Sequence, residues 1–391
     1  MIYLDNSATS FPKPQATYDQ MIIYTQKIAA NPGRGSHRLA VQSAAVIYET
    51  RELLAQLFNI EDPMRIVFTK NCTEALNIGI EGLLRPGDHV VTTSMEHNSV
   101  LRPLHYLTRR GVKVSIVKGN KWGYVDPEDL LSSMTKNTKL VVLTHCSNLT
   151  GTIQPIREVG KMCKERGIPF MVDAAQSAGV LPIDVQLDCI DLLAFPGHKG
   201  LYGPMGTGGL YISSTLKKME PLILGGTGSL SHSMEQPDFM PDMYESGTPN
   251  LPGIAGLNGG LKYVLEMGID VIRAHEVQLI NRMEAALGST WNIQLYGPSG
   301  GERKGGILLL NIKGAEASEV AQLLDEQSEI YVRPGMHCAP LAHETIGTSK
   351  TGAIRLSVGS YNTLDEMDIA SKKLIELSHK TNRTIKNKQE D

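Results

Sequence analysis

Two short stretches of this 391-residue chain hold residue types that can do covalent chemistry together. In Phe195-Pro196-Gly197-His198-Lys199-Gly200 a lysine follows an apolar run, at the carboxyl end of a predicted strand and among glycines. A lysine in that setting can form a Schiff base with a carbonyl compound. Val172-Asp173-Ala174-Ala175-Gln176 likewise follows an apolar strand, one strand earlier. Singly, each has an ordinary reading, since turn lysines are mostly solvated and an aspartate after a strand is commonly a helix N-cap or salt-bridge partner. Together, a carboxylate and an imine-forming lysine on neighbouring strand ends suit pyridoxal phosphate. The aspartate keeps the pyridine nitrogen protonated, so that the ring accepts electrons from a substrate carbanion. Gln176 is placed to hydrogen-bond the phenolate oxygen.

Further polar segments follow other strands. Thr69-Lys70-Asn71-Cys72-Thr73-Glu74-Ala75-Leu76-Asn77 passes from a strand end through a polar turn into a helix. Unpaired amides there, with the Thr73 hydroxyl, make an anion site suited to a phosphate, although Thr73 is equally explained as an N-cap. Met95-Glu96-His97-Asn98 sets a ring at the same sheet edge, where His97 could stack on the cofactor or be an ordinary hydrogen-bonded histidine; Asn148 is similarly ambiguous. Arg333-Pro334-Gly335-Met336-His337-Cys338-Ala339-Pro340 is a turn-rich segment that puts one cysteine near two basic groups, a setting that favours thiolate. Cys146, Cys163 and Cys189 read instead as structural thiols. A guanidinium such as Arg355 offers a planar two-point clamp for a carboxylate, which lysine does not reproduce.

The elements that must position these residues are readable in outline. Short β-branched runs alternate with helix-length amphipathic segments, as in repeated βαβ units, so the fold class is α/β with a mainly parallel sheet. Strands are predicted at Arg65 to Thr69, His89 to Ser94, Lys113 to Val117, Lys139 to His145, Pro169 to Asp173 and Asp191 to Phe195, with a helix over Glu158 to Arg166. Ligand sites in such sheets lie beyond the carboxyl ends of the strands. Gly203 to Gly209 is glycine-rich but precedes a strand-like run (Leu210 to Ser213) rather than a helix, which argues for tight turns over a nucleotide loop. Between Gly225 and Pro252 the periodicity fails over a length typical of functional loops. Beyond it, Ile254 to Leu287 reads as helix, and Gly306 to Ile312, Ala317 to Glu326, Ile330 to Arg333, Ala353 to Val358 and Leu364 to Ser378 as a smaller α+β unit. The expected division is a large domain at 16–252, a small domain of 1–15 and 253–378, and a fraying polar tail at 379–391.

Composition narrows the function. With 41% hydrophobic and 20% charged residues and a formal net charge of -3, the chain is an ordinary globular protein with no electrostatic support for nucleic-acid binding. No apolar run approaches the ~18 to 20 residues of a membrane span, and Met1 to Asp5 does not read as a secretory leader. The five cysteines are scattered, without a CxxC pair, as expected for reduced thiols in the cytoplasm.

In order and spacing, Leu4-Asp5-Asn6-Ser7-Ala8, Thr73-Glu74-Ala75, Glu96-His97-Asn98, Asp173-Ala174-Ala175-Gln176, Gly197-His198-Lys199 and Gly247-Thr248-Pro249-Asn250 resemble the fold-type I, class V pyridoxal-phosphate enzymes, and within them the cysteine desulfurase and selenocysteine lyase family. The segment Arg333 to Ala339 resembles the RxGxHCA signature of its SufS-like, group II members. The resemblance implies that Lys199 carries the cofactor, Asp173 partners the pyridine nitrogen, Gln176 and Asn148 flank the phenolate and His97 stacks on the ring. It further implies that Thr73 and His198 bind phosphate, with Cys72 standing where relatives commonly have threonine and Pro196 where they often have serine or threonine. Arg355 matches the substrate-carboxylate arginine, with Arg333 as a second candidate, and His37 lies in a family-like segment expected to line the pocket. The segment of Gly247 and Thr248 reaches a neighbouring subunit's phosphate in relatives, which implies a homodimer. The implied reaction converts L-cysteine, or L-selenocysteine, to alanine, with a persulfide on Cys338 handed to an acceptor protein. Alternatives are another class V aminotransferase or β-lyase, and a sulfur-relay protein without turnover.

Overall fold

The computed structural model describes residues 1–33, 35–300 and 303–390, with side chains through Lys380. The first part of the chain forms β1 (Ile2–Tyr3), α1 (Gln15–Gln26), α2 (Arg38–Phe58), β2 (Ile66–Thr69), α3 (Cys72–Leu83), β3 (His89–Thr93), α4 (Asn98–Thr108), β4 (Lys113–Val117), α5 (Pro127–Ser132), β5 (Thr138–Thr144), α6 (Ile156–Glu165), β6 (Phe170–Asp173), β7 (Leu192–Pro196) and β8 (Gly208–Ile212). There follow α7 (Leu251–Met267), α8 (Ile269–Leu287), β9 (Ile293–Tyr296), β10 (Ile307–Ile312), α9 (Ala317–Ser328), β11 (Ile330–Tyr331), β12 (Arg333–Gly335), α10 (Pro340–Ile346), β13 (Ala353–Ser357) and α11 (Leu364–Glu390).

Seven strands make one mixed sheet in the order β2-β8-β7-β6-β5-β3-β4. All run parallel except β8, which is antiparallel to both neighbours. The central strands are buried on both faces, which is why they read as continuous apolar runs rather than alternating ones. The two-residue period still sorts them. Val141 and Leu143 pack with Phe58, Phe170 and Phe195 on one face, whereas Leu140 and Val142 pack with Leu76, Ile80 and Leu104 of α3 and α4 on the other. Gly209 lets β8 lie against β7, because a Cβ there would overlap the Phe195 ring. Gly209 thus serves strand packing, while Gly206, at φ +80°, sits in a turn as expected.

The C-terminal part adds a four-stranded antiparallel sheet, β12-β13-β10-β9, whose core joins Leu308, Leu310 and Leu356 to Leu279, Leu324 and Leu374 of α8, α9 and α11. The chain start is sewn into it: β1 pairs with β11, and Asp5 bridges to Ser357. No strand or helix interrupts the segment between β8 and α7.

Three expectations are corrected. The single helix Ile254 to Leu287 is two, α7 and α8, because Gly268 adopts φ +81°, which the α-helix cannot accommodate. Ile330 to Arg333 splits into β11 and β12, which belong to different sheets. Helix α11 continues from Leu364 through the polar tail as far as Glu390, and Asp391 lies outside the described residues. Finally, the strand predicted from Arg65 begins at Ile66, after a single 3-10 turn opened by Asp62 and Pro63. Among the described residues no helix is long and apolar enough to cross a membrane.

Candidate active site

A cavity of about 230 Å³ opens at the carboxyl ends of β2, β3, β5, β6 and β7. Ten of the sequence-predicted residues line it: Cys72, Thr73, His97, Asn148, Asp173, Gln176, His198, Lys199, Arg333 and Arg355. They come from separate connections: the ends of the parallel strands bring eight of them together, and β12 and β13 of the antiparallel sheet supply Arg333 and Arg355.

Asp173 ends β6 in ladder register with Thr144 and Ala194. Its buried Oδ1 accepts the Ala175 N–H at 2.9 Å and the Cys72 thiol at 3.4 Å. Burial pushes the carboxyl pKa up, against the opposing pull of the Ala175 N–H and the Lys199 charge. Cys72 stays a neutral thiol, raised first by burial and then by the charge of Asp173. Its S–H thus faces the carboxylate, whereas the resemblance had put this position with the phosphate-binding set. Lys199 follows β7, and its pKa falls to about 8, mainly because the protein walls it in and then because Arg355 lies near.

At the start of α3 the N-cap is Asn71, which accepts the Glu74 N–H at 2.9 Å, and not Thr73. The Thr73 hydroxyl instead lies 2.8 Å from Ser99 Oγ, which reaches His97 Nδ1 at 2.9 Å. The Ser99 N–H also donates to Nδ1, so the neutral ring carries its proton on Nε2. Burial and the cations Lys199 and Arg333 hold the His97 pKa at about 4. His198 is lowered to about 4 for the same kind of reason, and its buried Nδ1 has no hydrogen-bond partner. Gln176 donates to the Ser7 carbonyl at 3.1 Å, and Asn148 to the His337 carbonyl at 2.8 Å.

Arg355, on β13, is 1% exposed. Its Nη2 pairs with Asp5 Oδ1 at 2.8 Å and its Nη1 donates to the Asn148 carbonyl at 2.9 Å, which leaves the buried Nε without a partner. Arg333 stands directly opposite it on β12. Two guanidiniums facing across a strand pair repel, and Asp5 offsets one of them, so the site favours a further anion.

The remaining predicted residues lie elsewhere. Cys338 is exposed and sits outside the cavity, but its carbonyl accepts the Asn98 N–H at 2.8 Å and so ties its loop to the start of α4. Gly247 and Thr248 line a separate, larger cavity of about 450 Å³, together with Asn31 and Gly33. His37 lines neither cavity of this chain and caps α2 through its ring nitrogen. Sequence reasoning missed the parts played by Asp5, Asn71 and Ser99. A hydroxyl two residues after His97 at a helix start was a usable signal for Ser99; the Asp5–Arg355 pairing, 350 positions apart, had none.

Comparisons agree with this geometry. The family model described as Aminotransferase class-V matches residues 2–369. A probable cysteine desulfurase of Methanothermobacter thermautotrophicus is 38% identical, over 96% of this chain and 94% of that protein. Among solved structures, the apo cysteine desulfurase of Thermococcus onnurineus superposes with a TM-score of 0.89 at 35% identity, covering 97% of this chain and 94% of that one. The cysteine desulfurase CsdA of Escherichia coli, in an S-sulfonic acid form, gives 0.87 at 29% identity with the same coverage. With the strand-end lysine and aspartate, the guanidinium pair and a match along nearly the whole chain, the protein belongs to the class-V aminotransferase family of pyridoxal phosphate-dependent enzymes, on its cysteine desulfurase branch.

Proposed function

We propose that this protein is a pyridoxal phosphate-dependent cysteine desulfurase, which converts L-cysteine to L-alanine and receives the sulfur as a persulfide on Cys338 before passing it to an acceptor protein. One observation carries the reading: Asp173, Lys199 and Arg355 converge on a single cavity, and the loop of Cys338 is fastened to its wall through Asn148. L-Selenocysteine, with its weaker carbon–chalcogen bond, is a second substrate.

The residues fit the cofactor. The cavity combines a buried carboxylate, a lysine with a lowered pKa, the N-terminal turn of a 12-residue helix and a buried His198 Nδ1 that lacks a partner. These are the donors and acceptors that a pyridinium, an aldehyde and a phosphate require. When bound, the cofactor supplies an electron sink for charge developing at the substrate Cα. Asp173 would hold a proton on the pyridine nitrogen, Thr73 and His198 would hold the phosphate, and His97 would meet the ring as a neutral imidazole. Gln176 and Asn148 each carry a second amide N–H for the phenolate oxygen. Arg355 Nε and Arg333 receive the substrate carboxylate. With its pKa at about 8, Lys199 is partly a free amine near neutral pH and takes the proton from Cα. The Cys338 thiolate then attacks the substrate sulfur. An S–S bond forms as the carbon–sulfur bond breaks, the electron pair left on Cβ takes a proton, and Lys199 returns a proton to Cα to give alanine.

Residues 16–252 would form the cofactor-binding domain, with 1–15 and 253–378 as the smaller one. Gly247 and Thr248, away from this chain's own cavity, would serve the phosphate of a second copy in a homodimer. Five unpaired cysteines accord with a cytoplasmic setting. The test is to load the protein with pyridoxal phosphate and supply L-cysteine with a reductant. Alanine and sulfide in equal amounts, without any 2-oxo acid, support the reading; amino transfer that depends on an added 2-oxo acid overturns it.

A further inference from the structure

We infer that His343 and Thr348 are positioning residues for the sulfur-receiving thiol: with His337 they form a buried hydrogen-bonded chain that holds Cys338 in a backbone conformation it would not keep alone. The inference rests on the reading of Cys338 as the persulfide residue.

His337 and Cys338 have φ +48° and +55°, two consecutive non-glycine residues in the left-handed region. Such residues are sparsely populated and persist only where their surroundings impose them. The exposed Cys338 side chain imposes nothing. Asn148 and the Asn98 N–H engage the two carbonyls from the cavity side, each at 2.8 Å. From the other side the loop is held by the His337 ring, which is 3% exposed and lies nearly parallel to the ring of His343, at 13°.

The protons along this chain follow from its ends. His337 Nε2 lies 2.9 Å from the Arg333 carbonyl, which can only accept, so Nε2 carries the hydrogen. In a neutral ring Nδ1 is then an acceptor, and its neighbour at 3.5 Å, His343 Nε2, donates. His343 Nδ1 in turn accepts the Thr348 hydroxyl at 2.7 Å. Both rings stay neutral, since burial lowers both pKa values, that of His337 to about 3. Thr348 is itself anchored: its N–H donates to the His343 carbonyl and its carbonyl accepts from Gly352, each at 2.9 Å, directly before the strand that carries Arg355. The chain therefore runs from the base of the arginine strand to the thiol loop. The backbone of Thr348 and Met336 also bonds the His343 ring, so loss of the Thr348 hydroxyl removes one of the bonds that favour this tautomer, and the other tautomer sets a lone pair against the lone pair of His337 Nδ1.

The test compares wild type with His343→Ala, Thr348→Val and His343→Gln, all loaded with pyridoxal phosphate and mixed with L-cysteine for a single turnover. Two signals are followed: the visible absorbance change on mixing, which reports substrate engagement, and the rate at which the Cys338 peptide gains one sulfur by mass. In His343→Ala the absorbance change should stay within about twofold of wild type while sulfur transfer slows by roughly 100-fold, the usual scale for a reacting group misplaced by about 1 Å. Thr348→Val, which keeps the shape, should slow transfer by about tenfold, with kcat lowered and KM unchanged. His343→Gln, whose amide offers one donor and one acceptor, should recover to within about threefold. The inference is overturned if Thr348→Val transfers sulfur at the wild-type rate, or if both signals fall in parallel, as for general structural damage. If wild type itself gains no sulfur on Cys338, the functional reading has failed, and this inference with it.

Discussion

Replacing Arg355 by lysine tests how the cavity binds its substrate. The guanidinium is 1% exposed, and one N–H of Nη1 and one of Nη2 are committed to the Asn148 carbonyl and Asp5, so Nε, the one nitrogen with no partner, is the donor assigned to an incoming carboxylate. A charge-assisted hydrogen bond contributes about 1.5–3 kcal/mol, which at 1.4 kcal/mol per decade is a loss of roughly 10- to 150-fold in kcat/KM. Lysine keeps a positive charge beside Lys199, the second-largest cause of that residue's lowered pKa, so proton transfer at Cα is preserved. The carboxylate bond is equally strong before and during reaction, so the loss should appear in KM with kcat nearly unchanged. Initial rates of alanine formation across L-cysteine concentrations measure both. Cysteamine, which lacks the carboxylate, should bind wild type and variant equally, judged by its absorbance titration. A kcat/KM within about twofold of wild type, or a lower kcat at constant KM, would refute the assignment.

Other outcomes follow from the same structure. Lys199→Ala should lose the covalent fixation of cofactor by borohydride, checked by the mass of the intact chain; unchanged fixation would point to another lysine. Glu96 is buried, with Oε1 bonded to Thr93 and the Thr144 N–H but Oε2 unpartnered, and burial raises its pKa from 4.5 to about 8. The folded protein therefore keeps a proton that the unfolded chain releases above pH 4.5, so this contribution to stability declines as pH rises toward 8, by up to about 1.4 kcal/mol per pH unit. Glu96→Gln cannot titrate, and its stability relative to wild type, from urea unfolding, should rise between pH 5 and 8 at about that slope; parallel curves would contradict the argument. Gly209→Ala puts a methyl group into the Phe195 ring and should cost about 1–3 kcal/mol by urea midpoint, whereas an unchanged midpoint would mean that β7 and β8 are not packed as described.

What could be read in advance followed from local physics. A lysine and an aspartate after buried parallel strands must emerge at the same sheet edge, so Lys199, Asp173 and the start of α3 were placed without coordinates. For His37 the resemblance suggests a pocket wall, whereas in this chain its ring serves a local need, the Ala40 N–H at the start of α2. Asp5, His343 and Thr348 escaped notice for another reason. Their partners lie across the fold, or depend on a histidine buried in a short helix, and a polar residue in α10 looks solvated until the packing is known. Gly268 sat within an otherwise unbroken helical pattern, where a single glycine is usually tolerated; only its positive φ shows the break.

The most direct measurement is the mass of the Cys338 peptide after the pyridoxal phosphate-loaded protein has turned over L-cysteine labelled with heavy sulfur. A peptide heavier by one labelled sulfur atom, matched by an equal amount of alanine and absent in Cys338→Ser, is the expected result. Label on another cysteine, or alanine formed at the wild-type rate by Cys338→Ser, would contradict the account.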